Sequence, residues 1–244
     1  MLTEIDKLRY SWQLDVPGFG EREQLTLKNS TALVTRVGGI GGPVAQSLAA
    51  AGIGKLILAH AGKLREDDLN RQILMSRDQI GESRVKCAAG TLKRFNSDTQ
   101  IEVFDENVNN VNIDRISSEA DIIFGCAPLF EERFLLNEAA VKGNKPLIDC
   151  AMYSMEGQVI PIVPGTTPCL KCIYPDDPEH WQRKFPVFGA VSSLVAQIGV
   201  IEGIKILCQF DDPSLGEMIR FDASLMNVKK IRLLPRRENC PACN

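Results

Sequence analysis

A glycine-rich turn between a short apolar run and an alanine-rich helical segment most constrains how this chain can fold. The apolar run at 32–34 precedes four glycines between positions 38 and 42, and the helical segment continues to Ala51. Strand, glycine turn and helix in this order open a nucleotide-binding βαβ unit, where small residues admit a phosphate and the helix N-terminus supplies partial positive charge. Arg36 stands where the dinucleotide fingerprint has its first glycine. The stretch therefore predicts the fold and leaves the ligand open, with a purely structural turn as the alternative.

Composition and charge exclude several classes of protein. The 244 residues are 44% hydrophobic and 24% charged, with a net charge of −3, so neither nucleic acid nor a membrane is expected as a partner. No uninterrupted apolar run reaches the ~18 residues of a membrane helix. The first 14 residues carry charges throughout and lack a signal core. We expect a soluble cytoplasmic protein.

Strand and helix patterns alternate as far as residue 150. This alternation predicts an α/β, Rossmann-like, doubly wound and mostly parallel sheet, closed by an antiparallel pair of C-terminal edge strands. We expect one domain over 1–244: N-terminal helices at 1–30, a nucleotide-binding core at 31–163, and a crossover loop, metal knuckles, helix and strands at 164–244. The predicted strands are 32–34, 55–59, 100–104, 120–124, 146–150, 157–163, 217–222 and 227–234. The predicted helices are 2–13, 21–29, 41–51, 83–95, 130–141 and 191–208.

Two Cys-x-x-Cys pairs carry the strongest chemical signal. Cys169 and Cys172 form one pair, and Cys240 and Cys243 form the other. Each pair presents two thiolates to one ion, and four thiolates complete a tetrahedral zinc shell without an open position for water. We predict a structural zinc site; two unrelated reduced or redox-active pairs are the alternative.

A polar segment at 67–72, DDLNRQ, follows the second predicted strand. The guanidinium of Arg71 could bind phosphate oxygens, and the neighbouring amides and carboxylates could bind a ribose or a metal. A solvated surface loop is the alternative for such a charged run.

The order of these motifs resembles the ThiF/MoeB/HesA family, bacterial relatives of ubiquitin-activating enzymes. The resemblance spans nearly the whole chain and rests on RYSWQLDVPGFGE, GGIGGPVAQSLAAAGIGKL, DLNRQIL, ERFLLNEA, EGQVIPIVPGTTPCLKC and CPAC. It implies a Rossmann-like fold with a four-cysteine zinc, usually a homodimer. It also implies adenylation of a carboxylate by Mg-ATP with release of pyrophosphate, most often at the C-terminus of a ubiquitin-like or sulfur-carrier protein.

Carrying the family's site over by position gives a predicted nucleotide site. Arg71, flanked by Asn70 and Gln72, matches the phosphate-binding Arg-Gln, and Asp68 stands where the family usually has Asn. The predicted nucleotide-binding residues are Gly39, Gly41, Arg36, His60, Asp68, Asn70 and Gln72. Arg71 and Arg84 are the predicted catalytic cations.

Several family positions hold other residues here. Trp12 replaces the arginine that reaches a partner subunit's ATP, and Arg84 replaces the catalytic lysine. His60 replaces the acid that binds ribose, and Pro128 replaces the aspartate that holds Mg²⁺. Together with Arg36, these changes surround one pocket. In a rearranged site, Glu131 and Asp68 are the candidate ligands for the metal.

Two functions from different classes follow. The first is ATP-dependent adenylation of a carboxylate, on a carrier-protein tail or a small-molecule acid in cofactor or sulfur metabolism, with an altered active site. The second is a catalytically inactive partner subunit that binds nucleotide or a protein tail. An NAD-dependent enzyme is a third, which Arg36 and His60 disfavour.

Two further features bear on the substrate. His180 and Trp181 lie on the predicted crossover loop, where contact with the substrate is the functional interpretation and a surface loop packed onto the sheet is the alternative. Residues 173–207 contain no cysteine, and Cys208 falls within an apolar helix. Thioester chemistry is therefore not expected.

Overall fold

An eight-stranded sheet organises the structure, a computed structural model that describes residues 1–176 and 184–244. The strands lie in the order β3-β2-β1-β4-β5-β6-β7-β8. Their bounds are β1 Thr31–Thr35, β2 Lys55–Ala59, β3 Gln100–Phe104, β4 Ile122–Gly125, β5 Leu147–Tyr153, β6 Glu156–Ile162, β7 Glu217–Asp222 and β8 Asn227–Arg232.

The sheet has a parallel part of five strands and an antiparallel part of three. Strands β3, β2, β1, β4 and β5 pair in parallel, whereas β6, β7 and β8 follow as an antiparallel meander. The chain winds outward from β1 in one direction through β2 and β3, and in the other through β4 and β5. A doubly wound sheet opens a crevice at such a reversal, outside the carboxyl ends of the strands.

Helices cover both faces of the sheet. One face packs under α3, α4, α5 and α9, and the other under α6, α7 and α8, with a separate buried apolar cluster on each side. Neighbouring β1 residues point alternately into the two clusters, so this central strand is apolar at nearly every position. The helix bounds are α1 Glu4–Arg9, α2 Ser11–Leu14, α3 Glu21–Asn29, α4 Gly41–Ala51, α5 Arg84–Phe95, α6 Ile113–Ser117, α7 Phe130–Lys142, α8 Leu170–Ile173 and α9 Gly189–Cys208.

The predicted fold class is confirmed, including the antiparallel edge pair. The strands at 55–59, 100–104 and 217–222 have the predicted bounds. The short helices α6 and α8 were not predicted, because five and four residues are too few to establish a helical period.

The N-terminal segment differs from the amphipathic helix expected at 2–13. It forms α1 and α2, and Leu2 is buried while three other apolar side chains on these helices face outward. Ile5, Leu8 and Trp12 are 67%, 78% and 91% exposed. Their helical spacing therefore marks an external face.

Helix α9 is long and apolar enough, by length and mean hydropathy, to cross a membrane. The sequence analysis did not detect this because single polar residues interrupt the apolar run. In the structure half of its most apolar window is buried, and the helix packs against α3, α4, β5 and β6.

Candidate active site and metal centre

A cleft of about 740 Å³ opens at the carboxyl ends of the parallel strands. Segments following β1, β2 and β4 contribute to it, as do β5 and the start of α9. The cleft therefore lies at the winding reversal, where this sheet type binds its ligands. It brings together the predicted residues Arg36, Gly39, His60, Asp68, Asn70, Arg71, Gln72 and Arg84.

Arg36, directly after β1, takes a left-handed backbone conformation with φ of +54°. This is the conformation that a glycine adopts most easily, and for arginine it is uncommon. The Nε and Nη2 atoms of Arg36 lie 2.7 and 2.5 Å from Glu132 Oε2. The ion pair fixes the guanidinium at the wall of the cleft.

Gly41 is the one predicted residue of the nucleotide site that does not line the cleft. It begins α4, and a Cβ at this position would lie 2.5 Å from the carbonyl oxygen of Arg36. Only glycine allows the helix to start this close to the end of β1. Its role in this structure is close packing.

Asp68 is the centre of a buried polar cluster. Its Oδ2 accepts hydrogen bonds from Arg84 Nε at 3.0 Å and Nη2 at 2.6 Å, and from the Arg65 backbone N–H. Its Oδ1 accepts from Gln72 Nε2 at 2.8 Å and Arg71 Nη2 at 3.3 Å. Only 1% of Asp68 is exposed, so its carboxylate arranges the cationic side chains around it.

Arg71 is the most accessible of these predicted cations, because a quarter of its side chain faces solvent. Its Nη1 donates to the Asp67 carbonyl at 2.7 Å and to Asn70 Oδ1 at 2.8 Å. Asn70 thus orients Arg71, while the remaining N–H groups of the guanidinium stay available to an anion in the cleft.

Gln72 and His60 lie side by side at the floor of the cleft. Both are at least nine-tenths buried. A Cβ on Gly38 would lie 3.6 Å from Gln72 Cδ and 3.6 Å from His60 Cε1. The two side chains therefore approach the same point on the glycine turn.

The described residues do not provide a carboxylate site for Mg²⁺ in the cleft. Pro128 lines it and has no donor atom, whereas Glu131 is exposed and lies outside the lining. The two lining carboxylates, Asp67 and Asp68, are paired with arginines. Over 1–176 and 184–244, the only group of three or more candidate metal ligands is the cysteine cluster.

The cleft has an excess of positive charge. Among the residues that the structure describes, two lining carboxylates face six lining cations, and Glu132 and Asp149 behind the wall neutralise two of those cations. Such a surface attracts a polyanion. The lining cations are Arg36, Arg65, Arg71, Arg84, Arg133 and Lys184.

Arg133 is a lining residue that the sequence analysis did not select. Its Nε and Nη2 donate to the two oxygens of Asp149 at 2.9 and 2.6 Å, and its guanidinium lies 4.2 Å from the Phe130 ring centroid. It belongs to the ERFLLNEA motif, and this motif was the feature of the sequence that could have indicated a role for Arg133. The partner Asp149 is far away in sequence, so only the fold reveals the pair.

Two sides of the cleft meet through the backbone. A Cβ on Gly189, the first residue of α9, would lie 2.4 Å from the carbonyl oxygen of Asn70. Residues Phe185, Val187 and Ser192 near this junction also line the cleft. The predicted substrate contacts His180 and Trp181 lie outside the described residues.

The four cysteines predicted to bind zinc form one cluster. Their Sγ atoms all lie within 4.8 Å of one another, with separations of 3.9, 3.6 and 3.5 Å for Cys169–Cys172, Cys169–Cys240 and Cys172–Cys243. A tetrahedral ion with Zn–S bonds of 2.3 Å requires separations of about 3.8 Å. The cluster fits zinc, and it joins α8 to the C-terminal CPAC segment.

A doubly wound α/β fold with an arginine-lined cleft at its strand ends, together with a cluster of four cysteines, is the arrangement of ThiF-like proteins. The chain belongs to the ThiF family, whose model matches residues 10–242.

Similar proteins extend over the same region. The chain is 45% identical over 242 residues to the heterocyst HesA protein of Trichormus variabilis, covering 99% of this chain and 90% of that protein. It is 35% identical to the adenylyltransferase and sulfurtransferase MOCS3 of Drosophila persimilis, covering 100% of this chain and 55% of that protein.

Solved structures of Escherichia coli MccB share the fold. The complex of MccB with MccA-N7isoASN superposes with a TM-score of 0.87 at 25% identity, covering 97% of this chain and 75% of that chain. The complex of MccB with ATP superposes with a TM-score of 0.81 at 26% identity, covering 91% of this chain and 68% of that chain.

Proposed function

We propose that this chain uses ATP to adenylate a carboxylate, with the cleft as its active site. The observation that carries the proposal is the excess of arginine and lysine around the glycine turn. A triphosphate carries several negative charges, and its transfer chemistry depends on positioning and on electrostatic stabilisation. The adenylyltransferase name of one relative and the ATP complex of a structural neighbour support the same activity.

The reaction is an in-line displacement at phosphorus. A carboxylate oxygen attacks the α-phosphorus, the bond to the pyrophosphate oxygen breaks, and an acyl adenylate and pyrophosphate leave. Arg71 binds phosphate oxygens, since it is the accessible cation and is held by Asp67 and Asn70. Arg36 and Arg84, fixed by Glu132 and Asp68, contribute positive charge from the wall. Mg²⁺ accompanies the nucleotide phosphates, because the described lining residues do not hold it.

The acid enters from a second cavity. A groove of about 290 Å³ shares Arg133, Ala151 and Met152 with the main cleft, and Phe130 and Tyr174 also line it. Its walls are mainly apolar, and the polar lining includes Gln158 and two arginines, Arg133 and Arg220, that are paired with carboxylates. The acid is a small-molecule carboxylate or the C-terminal tail of a ubiquitin-like or sulfur-carrier protein, within cofactor biosynthesis in the cytoplasm.

A homodimer is part of the proposal. Ile5, Leu8 and Trp12 form an exposed apolar face on α1 and α2, and burial against a second copy would remove it from water. Light scattering should give about twice the chain mass, and Trp12→Glu should shift the protein toward monomer.

Pyrophosphate exchange tests the activity. Purified protein is mixed with ATP, labelled pyrophosphate and candidate acids, and label entering ATP is counted. Exchange should need the acid and should fall at least 100-fold in Arg71→Ala, because an oriented phosphate ligand is lost. Arg77→Ala, an exposed arginine outside the cleft, is the matched control. Exchange by Arg71→Ala at the wild-type rate would exclude the proposed site.

A second function has its own supporting observation. Pro128 removes the metal-holding carboxylate implied by the resemblance, which suits a nucleotide-binding partner subunit without catalysis. Such a subunit binds ATP by calorimetry, shows no exchange with any acid, and copurifies with an intact ThiF-family chain. Acid-dependent exchange by the isolated protein rules this out.

A further inference from the structure

Gln72 has a buried acceptor atom that the described structure does not satisfy. Its Nε2 donates to Asp68 Oδ1 at 2.8 Å. Since a carboxylate accepts but does not donate, the amide orientation is fixed and Oε1 must be the other atom. Across 1–176 and 184–244, Oε1 has no hydrogen-bond partner, although only 4% of Gln72 is exposed.

The unsatisfied oxygen calls for a partner other than the phosphate that the resemblance implies for Gln72. One N–H of Nε2 points to Asp68 and the other can still donate to a phosphate oxygen, but Oε1 can only accept a hydrogen bond. An acceptor beside a phosphate would be repelled, whereas a hydroxyl or N–H group of a ligand would satisfy Oε1. Gln72 therefore recognises a donor group, and Arg71 beside it recognises the phosphates.

The position of Gln72 identifies the donor. In doubly wound folds an acidic residue about 20 positions beyond the glycine turn binds the ribose hydroxyls. His60 occupies that place, directly after β2, and Gln72 meets it over Gly38, with both side chains 3.6 Å from the same point. Gln72 Oε1 therefore lies on the same side of the cleft as position 60, where the acidic residue would stand.

We propose that Gln72 Oε1 accepts a hydrogen bond from a ribose hydroxyl of the bound nucleotide, in place of the carboxylate missing at position 60. The inference rests on the proposed function only in taking the ligand to be a ribonucleotide. It makes Gln72 a specificity-determining residue for ribose over deoxyribose.

Binding measurements on the full chain test the assignment. Calorimetry with ATP, 2′-deoxy-ATP and 3′-deoxy-ATP should show that the wild type binds at least one deoxy analogue about 2- to 13-fold more weakly than ATP, the value of one neutral hydrogen bond. Gln72→Met should bind ATP more weakly by a similar factor and should bind the three nucleotides equally. Unchanged discrimination in Gln72→Met would overturn the proposal.

Two further variants separate this role from a structural one. Arg71→Ala should weaken the binding of all three nucleotides by a similar factor and keep their affinity ratio, because it removes a phosphate ligand and leaves the shorter Gln72–Asp68 hydrogen bond in place. Gln72→Glu keeps an acceptor at the same place and should still favour ATP, although the carboxylate beside Asp68 weakens binding overall. If folded Gln72→Glu or Arg71→Ala no longer prefers ATP to the deoxy analogues, the assignment is contradicted. This test holds even if Gln72→Met fails to fold.

The outcome is independent of catalysis. Suppose that Gln72→Met loses the wild-type preference for ATP over a deoxy analogue, and that no acid-dependent pyrophosphate exchange is detected. This result supports ribose recognition and rejects adenylation. Exchange by the wild type, with no preference for ATP over either deoxy analogue, rejects ribose recognition and leaves adenylation intact.

Discussion

Arg84 Nε and Nη2 both donate to a single oxygen of Asp68, at 3.0 and 2.6 Å, and both side chains are at least nine-tenths buried. The pair connects the start of α5 to the segment that carries Arg71 and Gln72. Arg84, at the position where the resemblance implies a catalytic lysine, thus has its charge already matched by a carboxylate. We expect any effect of Arg84 on a bound phosphate to come from the wall of the cleft.

Removing one member of this pair should lower the free energy of unfolding more than removing both. Asp68→Ala leaves the Arg84 cation buried without its partner, and we expect a loss of about 3–5 kcal/mol in the free energy of unfolding. Asp68→Ala combined with Arg84→Met should recover a substantial part of this loss. Urea denaturation of the two variants and the wild type measures the difference. Equal destabilisation of the single and double variants would contradict a buried charge as the cause.

The cysteine cluster should contain one metal ion per chain. We expect one zinc by mass-spectrometric metal analysis, and its loss in Cys240→Ser, because a three-thiolate shell no longer closes. Chelation should lower the melting temperature of the wild type. Cys208→Ala is the control, since Cys208 is buried against Glu23 and lies outside the cluster. A full zinc content in Cys240→Ser would show that the fourth thiolate is dispensable.

Acid should weaken the attachment of α1. Hydrogen bonds from Lys28 and from the backbone and side chain of Thr3 hold the pKa of Asp6 well below its usual value. Because the folded-state pKa is depressed, the stabilisation is present above about pH 4 and is lost as the pH falls further toward the folded pKa. At pH 7, Asp6→Asn should cost about 1–2 kcal/mol.

The difference between wild type and Asp6→Asn should shrink steadily below pH 4. Urea denaturation at pH 7, 5, 4 and 3 measures it. Asp15→Asn, at an exposed position, provides the matched control and should change little at any pH. A constant Asp6→Asn difference down to pH 3 would be inconsistent with a depressed pKa.

Cys208 should be inert in the folded protein. Burial raises the pKa of its thiol to about 11, so well under 1% is thiolate at pH 7.5. Native alkylation with iodoacetamide, followed by peptide mass spectrometry, should leave Cys208 unmodified, whereas alkylation in urea should modify it fully. Rapid native alkylation would reopen the possibility of a thioester at this residue.

The sheet was predictable because each buried strand is a short apolar run between glycine or polar residues. The zinc cluster was predictable because each pair of ligands is local in sequence. The arrangement around Asp68 was not. Its partner Arg84 lies 16 residues away at the start of α5, and nothing in DDLNRQ distinguishes a metal or ribose ligand from a carboxylate buried among arginines.

Two other residues show the same limit. Arg133 pairs with Asp149 on a different element, so its place in the cleft depends on the parallel register of β4 and β5. Trp12 has the periodicity of a core residue and lies on the surface. Hydrophobic spacing specifies a helix face, but the tertiary arrangement decides whether that face is covered.

The contact between Gly189 and the carbonyl of Asn70 has a consequence for how this cleft can diverge. The two walls are set against each other by main-chain atoms, so the width of the opening does not depend on the side chains that project into it. Residues such as Arg36, His60 and Pro128 can then be exchanged without reshaping the cavity. A fold constrained in this way can change what it recognises through single substitutions, while the glycine at 189 must be retained, because any side chain there would meet the main chain of residue 70.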